Sequence, residues 1–196
     1  MVGYQEYRTN GLTEHYRVQK RGRWITTVIH NAKNTVWNSI QEALGRAGFI
    51  IADVRTLDKK QGSFNQVKGA SQAIKQDLVI SAYKPKDAFR NVFNNQAGTE
   101  ETAWAFARQH LENIPVVVIK NDRIEIIAER QAYLLFDRMV AYHIMQGIPV
   151  PLDATDFYRG LDEKFLCRGR MYFLPDQVDW YDTARITKQV ELGQLS

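Results

Sequence analysis

Cysteine is all but absent from this chain. Cys167 stands alone among 196 residues. One thiol excludes an internal disulfide and any zinc site built from several cysteines, and four scattered histidines do not make up the deficit. No apolar run reaches the roughly eighteen residues that a membrane-spanning helix needs. No signal peptide is evident either, so a cytoplasmic protein without membrane contact is expected. Proline is sparse: the five, at 85, 115, 149, 151 and 175, never stand side by side. No FxGxG-like turn, internal repeat or low-complexity tract occurs. Charge of one sign is barely in excess. A net charge of +4 permits contact with nucleic acid without arguing for it. The length suffices for one domain or two small ones, each with a real core.

The stretch from Trp24 to Lys84 carries the clearest pattern. WITTVIHN alternates β-branched and polar residues and reads as a strand, Trp24 to His30. Asn34 is a good N-cap for a helix in which Val36, Ile40, Leu44 and Ala47 recur at helical spacing. Gly48 stands where a left-handed cap is wanted. Phe49 to Thr56 reads as a second strand and Leu78 to Ala82 as a third. Strand, helix and strand make a βαβ unit, which predicts that the first two strands run parallel.

HNAKNTVWNSIQEALGRAGF, DVRTLDKKQGSF and KQDLVISAYKP resemble the closing part of the catalytic domain of bacterial adenine-specific DNA methyltransferases. The nearest group is the large antiphage-associated DNA methylases, and RGRMYFLPDQVDWYD resembles their extreme C-terminal region. The resemblance implies an α/β fold: the last strands of a Rossmann-like sheet, with the final strand antiparallel to its neighbours. It implies DNA modification, in restriction-modification or phage defence. Such enzymes hold S-adenosylmethionine at a Gly-rich turn and the target amino group at an Asp/Asn-Pro-Pro-Tyr/Phe tetrapeptide. Neither motif is present here. The chain is therefore expected to be the C-terminal part of a larger enzyme, or a split or decayed descendant, inactive alone. No catalytic, cofactor-binding or metal residue is assigned to it. S-adenosylmethionine is implied for the whole enzyme only. The implied partners are DNA and either the remainder of the methyltransferase or a second copy covering the open sheet edge.

The loop Leu57 to Gln76, at about twenty residues, exceeds usual connections, and long loops tend to be functional. By resemblance it lies beside the pocket that receives a flipped base, where a stacking surface and backbone contacts are needed. Phe64, flanked by Lys59, Lys60, Ser63 and Lys68, has that chemistry. The competing reading pins Phe64 to the sheet. Arg21 and Arg23 in the KRGRW turn, with Lys84, are candidate neighbours of this surface, although a basic turn is more often simply solvated. Asp53, Asp58 and Asp77 do not make a convincing metal site, since nothing fixes the three together.

Residues 1–86 are thus expected to belong to the methyltransferase sheet, 87–98 to a linker, and 99–196 to a small α+β appendage, a variant winged helix by analogy. In the appendage Thr99 caps a helix to Glu112. Ile114–Ile119 and Arg123–Ile127 read as strands joined at Asn121-Asp122. Glu129–Gln146 reads as a helix on which His143 is a satisfied core histidine. Asp156–Cys167 reads as helix, Met171–Leu174 as a short strand, and Pro175 opens a last helix. Arg168 and Arg170 suit phosphate contacts or plain helix-end charges. The competing functional class is a non-catalytic α+β module that binds DNA or protein.

Overall fold

A computed structural model describes residues 2–30, 34–57 and 77–193, with side chains for residues 10–30, 35–56 and 77–188. The chain is mixed α/β and divides into two compact units, Met1–Pro85 and Lys86–Ser196.

The first unit runs α1 (Val2–Val18), β1 (Trp24–Ile29), α2 (Asn34–Ala47), β2 (Ile50–Leu57) and β3 (Asp77–Tyr83). The sheet order is β1-β3-β2, and β3 is antiparallel to both neighbours. β1 and β2 therefore run parallel, as a βαβ unit requires, but β3 separates them. The register places Trp24 opposite Tyr83 and Ile29 opposite Leu78. On the other side Ile50 also faces Tyr83, and a bulge at Ala52 shifts the pairing between Ile51 and Asp53.

One face of the sheet is apolar because its alternate positions are. Ile29, Leu78, Ile80 and Ala82 pack with Ile40 and Leu44 of α2 and with Phe49. Leu44 is wholly buried, which contributes about 1.5–3 kcal/mol. Gly48 ends α2 at φ +102, and a side chain there would press on the Tyr16 ring. That ring meets Phe49 edge-on at 4.9 Å, tying α1 to the sheet. All seven residues of β3 are buried, as a central strand's should be.

The second unit runs α3 (Asp87–Asn95), α4 (Glu100–Asn113), β4 (Ile119–Lys120), β5 (Arg123–Ile124), a 3-10 turn (Ala128–Arg130), α5 (Ala132–Met145), α6 (Ala154–Lys164), β6 (Leu166–Arg168), β7 (Met171–Phe173) and α7 (Pro175–Gly193). Two short antiparallel hairpins, β4–β5 and β6–β7, sit among the helices. Asn121 and Asp122 both take positive φ, as a tight two-residue hairpin turn requires, although the paired strands are shorter than the sequence suggests. Residues 87–98, which read as a linker, are largely helix. Phe89 and Phe93, four apart on α3, bury against Phe106 of α4 and Tyr142 of α5. The helix expected to reach Cys167 stops at Lys164, because Leu166–Arg168 pairs with β7 through a turn at Gly169 and Arg170. Trp104 of α4 stacks flat on Phe157 of α6, at 5.3 Å and 6°. That close approach requires Gly160, where a Cβ would overlap the indole.

Candidate functional site

The basic turn before β1 is where charge gathers in the first unit. Lys20, Arg21 and Arg23 are exposed, and Gly22 turns the chain at φ +70. Two backbone hydrogen bonds fix the turn to the end of β3. The Gly22 N–H donates to Lys84 O at 2.7 Å, and the Lys84 N–H donates to Arg23 O at 3.0 Å. Trp24 follows, 40% exposed, its ring 5.4 Å from that of the buried Tyr83. Thr26 and Val28 continue the same row on β1, and both are exposed.

Lys84 is not part of that basic surface. It is buried, and its ammonium donates to Tyr16 O at 2.6 Å and Gln19 O at 3.0 Å while lying 4.4 Å from the Tyr16 ring centre. It neutralises carbonyls at the C-terminal end of α1, where the helix dipole favours a cation. Its expected place beside a phosphate-facing surface is corrected accordingly.

Lys59, Lys60, Ser63, Phe64 and Lys68 lie outside the described residues, as does Asp58. The residues on either side of that segment, Leu57 and Asp77, are paired across the β2–β3 ladder. His30, just past β1, places Nδ1 at 2.9 Å from an Asp77 carboxylate oxygen. Asp53 pairs instead with Arg55 at 2.9 Å. Asp53 stands opposite Ser81 and Asp77 opposite Leu57, so their backbone positions are about 13 Å apart along β3. Among the described residues no three His, Cys, Asp or Glu side chains converge as metal ligands would.

The second unit holds a buried polar centre that the sequence does not announce. Arg130 is fully buried and has a hydrogen-bond acceptor for each of its nitrogens. Nε donates to Pro115 O at 2.7 Å; Nη1 to Tyr172 O at 2.9 Å and Gln177 Oε1 at 3.0 Å; Nη2 to Leu111 O at 3.1 Å and Ile114 O at 3.0 Å. Its guanidinium also lies over the Phe173 ring at 4.6 Å. Burial lowers its pKa to about 10, so it keeps its charge at neutral pH. Beside it, Glu129 accepts from Arg138 at 2.6 and 3.1 Å, and His110 Nε2 lies 3.4 Å away. Burial alone would push the Glu129 carboxyl up, but the bonds from His110 and Arg138 outweigh it and hold it below its ordinary value. His110 is held below its ordinary value by burial, against the pull of Glu129.

His143 is a satisfied core histidine, as its place on the α5 stripe suggests. It is fully buried, with Nδ1 at 2.8 Å from Met139 O and Nε2 at 2.9 Å from the Thr102 hydroxyl, and burial lowers its pKa. Perturbed histidines often mark active sites. Both rings are fully buried among the described residues, and their bonds to Thr102 and Glu129 join α4 to α5 and to the 3-10 turn. The Tyr172 hydroxyl, raised well above its ordinary value by burial, donates to Asp162 at 2.6 Å.

Of the aromatics in this unit, Trp104, Tyr172 and Tyr181 are buried, whereas Trp180 is 61% exposed. Arg168 is committed to Asp182 at 3.1 Å and to the carbonyl of Cys167, while Arg170 is exposed at the hairpin tip with φ +64. No helix among the described residues is long and apolar enough to cross a membrane. Comparison of the chain with family models, with curated proteins and with solved structures finds no match.

Proposed function

We propose that this chain closes the sheet of an adenine-specific DNA methyltransferase and contributes part of its DNA-facing surface. The observation that carries the reading is the strand order. A reversed strand, β3, sits between β1 and β2, which run parallel and are joined through α2. A methyltransferase sheet of the resembled family ends with an antiparallel inserted strand, so order and direction both support the reading. The sequence resemblance covers the same elements. The exposed Lys20–Arg23 turn adds positive charge suited to phosphates.

In this reading the chain supplies no cofactor site. S-adenosylmethionine belongs to the whole enzyme, bound by the Gly-rich turn that this sequence lacks. The partner beside the sheet is the remainder of the methyltransferase, in the cytoplasm, adjoining β1. Among the described residues the outer edge of β1 has no strand paired to it, and such an edge favours added strands. DNA is the second partner. Lys59, Lys60 and Lys68 attract phosphates, and Phe64 stacks on the displaced base with Ser63 beside it.

Fluorescence anisotropy with labelled DNA at low salt tests the DNA contact. Replacing Lys59 and Lys60 together by Ala is expected to weaken binding to any DNA and to reduce the salt slope by roughly 0.9 per lost phosphate contact on duplex. Phe64→Ala is expected to weaken binding to single-stranded or mismatched DNA with an unchanged slope. Wild-type binding by all these variants would remove the loop from the DNA-facing surface.

A further inference from the structure

We infer that the Lys20–Arg23 turn and Trp24 form a docking surface for single-stranded nucleic acid, with Trp24 as its base-stacking platform. The inference deepens the reading above, on which the choice of nucleic acid over another polyanion rests. Two tryptophans are exposed among the described side chains, Trp24 at 40% and Trp180 at 61%. Their surroundings differ in charge. Trp180 stands on α7 close in sequence to Asp176 and Asp179, which disfavour phosphate, while Asp182 is paired with Arg168. Trp24 directly follows Lys20, Arg21 and Arg23, all exposed. An exposed indole that opens the strand straight after a cationic turn suits what a single strand presents, an unpaired base and its own phosphate. In duplex DNA the base face is covered by its neighbours, so the ring favours unpaired nucleotides.

The platform is held in place before any ligand arrives. Gly22 and Arg23 are hydrogen-bonded to Lys84, and the Lys84 side chain is anchored on α1. The ring rests against buried Tyr83, so little conformational freedom remains to be lost on binding. From Trp24 an exposed row continues through Thr26 and Val28, with neighbouring members of the row about 7 Å apart. A strand of nucleotides leaving the indole therefore meets a hydroxyl and then an apolar side chain. The stacking ring opens β1 and the charges lie in the turn before it, apart in sequence from the segment carrying Phe64.

The test is anisotropy of a labelled oligo-dT strand with the full chain, with heparin and a matched duplex as competitors. Trp24→Ala is expected to weaken oligo-dT binding roughly tenfold with the salt slope unchanged, while Trp24→Phe retains most of the affinity. Lys20→Ala with Arg23→Ala should flatten the slope by about 0.7 per lost contact. Because Trp24 also covers Tyr83, Trp24→Leu is the folding control. It keeps apolar cover without a ring, and it should lose affinity as Ala does while melting like the wild type. Wild-type affinity in the Leu variant, or no binding by the intact chain at low salt, would overturn the inference. Weak binding by the Lys59→Ala/Lys60→Ala variant, with all Trp24 variants unaffected, would refute this surface and leave the methyltransferase reading standing. That reading has its own test in methyl transfer, which does not depend on Trp24.

Discussion

Arg130 should be the most costly polar side chain in the second unit to remove. Its guanidinium ties the C-terminal end of α4, through Leu111, Ile114 and Pro115, to β7 at Tyr172 and to α7 at Gln177. Consider Arg130→Met, which fills a similar volume and removes all the donors. The Leu111 carbonyl keeps a donor, since Gln177 Nε2 reaches it at 2.8 Å. The carbonyls of Ile114, Pro115 and Tyr172 lose the donor that Arg130 supplies. Each buried orphan costs about 1–3 kcal/mol, and the lower end is apt where neighbours can relax. The sum is about 3–5 kcal/mol, offset in part because a buried charge disappears as well. Taking about 3 kcal/mol as the net, the melting transition of the unit should fall by roughly 10–15 °C. Calorimetry on the full chain measures it, and two transitions would allow the units to be followed separately. Arg130→Lys should fall between, because an ammonium cannot span the acceptors of a planar fork. If Arg130→Met melts within about 1 kcal/mol of the wild type, the carbonyls do not depend on the guanidinium and the reasoning fails.

Two further outcomes follow from the same unit. His110 and His143 both bind a proton more readily unfolded than folded, so the stability they support is present above the ordinary value of 6.5 and is lost as pH falls below it. Glu129, held low, adds its own loss at more acidic pH, below its ordinary 4.5. Thermal melts at pH 8, 7, 6 and 5 should show a falling midpoint below 7, shallower in His143→Asn; an unchanged slope in that variant would contradict the assignment. Gly160→Ala should destabilise by about 1–3 kcal/mol, because its methyl collides with the Trp104 indole stacked on Phe157. Near-UV circular dichroism and melting would report it, and a neutral result would mean that α6 shifts freely.

The elements with strong local signals were the ones legible in the sequence. Asn34, the Val36–Ile40–Leu44 spacing and Gly48 foretell α2 within a residue, and the strands around it lie where β-branched runs place them. Asn121-Asp122 foretells a hairpin because its side chains tolerate positive φ. The hairpin at Gly169-Arg170 was hidden, since Arg rarely adopts that conformation and Phe165 continues the helical stripe. Helix α3 was hidden because only Phe89 and Phe93 mark its buried face among polar residues. Arg130 was beyond reach for a different reason. An Arg after a Glu reads as surface, and its acceptors come from segments up to 47 positions away that only the fold assembles. Trp24 opens the strand that its alternating pattern foretells, and since that strand lies at an edge of the described sheet the ring is 40% exposed. Lys84 reads as one more surface cation, yet carbonyls of α1 enclose it.

The most direct measurement of the central claim is methyl transfer by a chimera. An adenine-specific methylase core that ends after its fourth strand, carrying the Gly-rich turn and the Pro-Pro-Tyr tetrapeptide, is joined ahead of this chain. Transfer of a labelled methyl group from S-adenosylmethionine to adenine in DNA is then followed. The account predicts transfer by the chimera and none by the core or the chain alone, together with slowed amide exchange along Trp24–Ile29 as β1 acquires a neighbour. A folded chimera with no activity above the core, and with β1 exchanging as in the isolated chain, would contradict it.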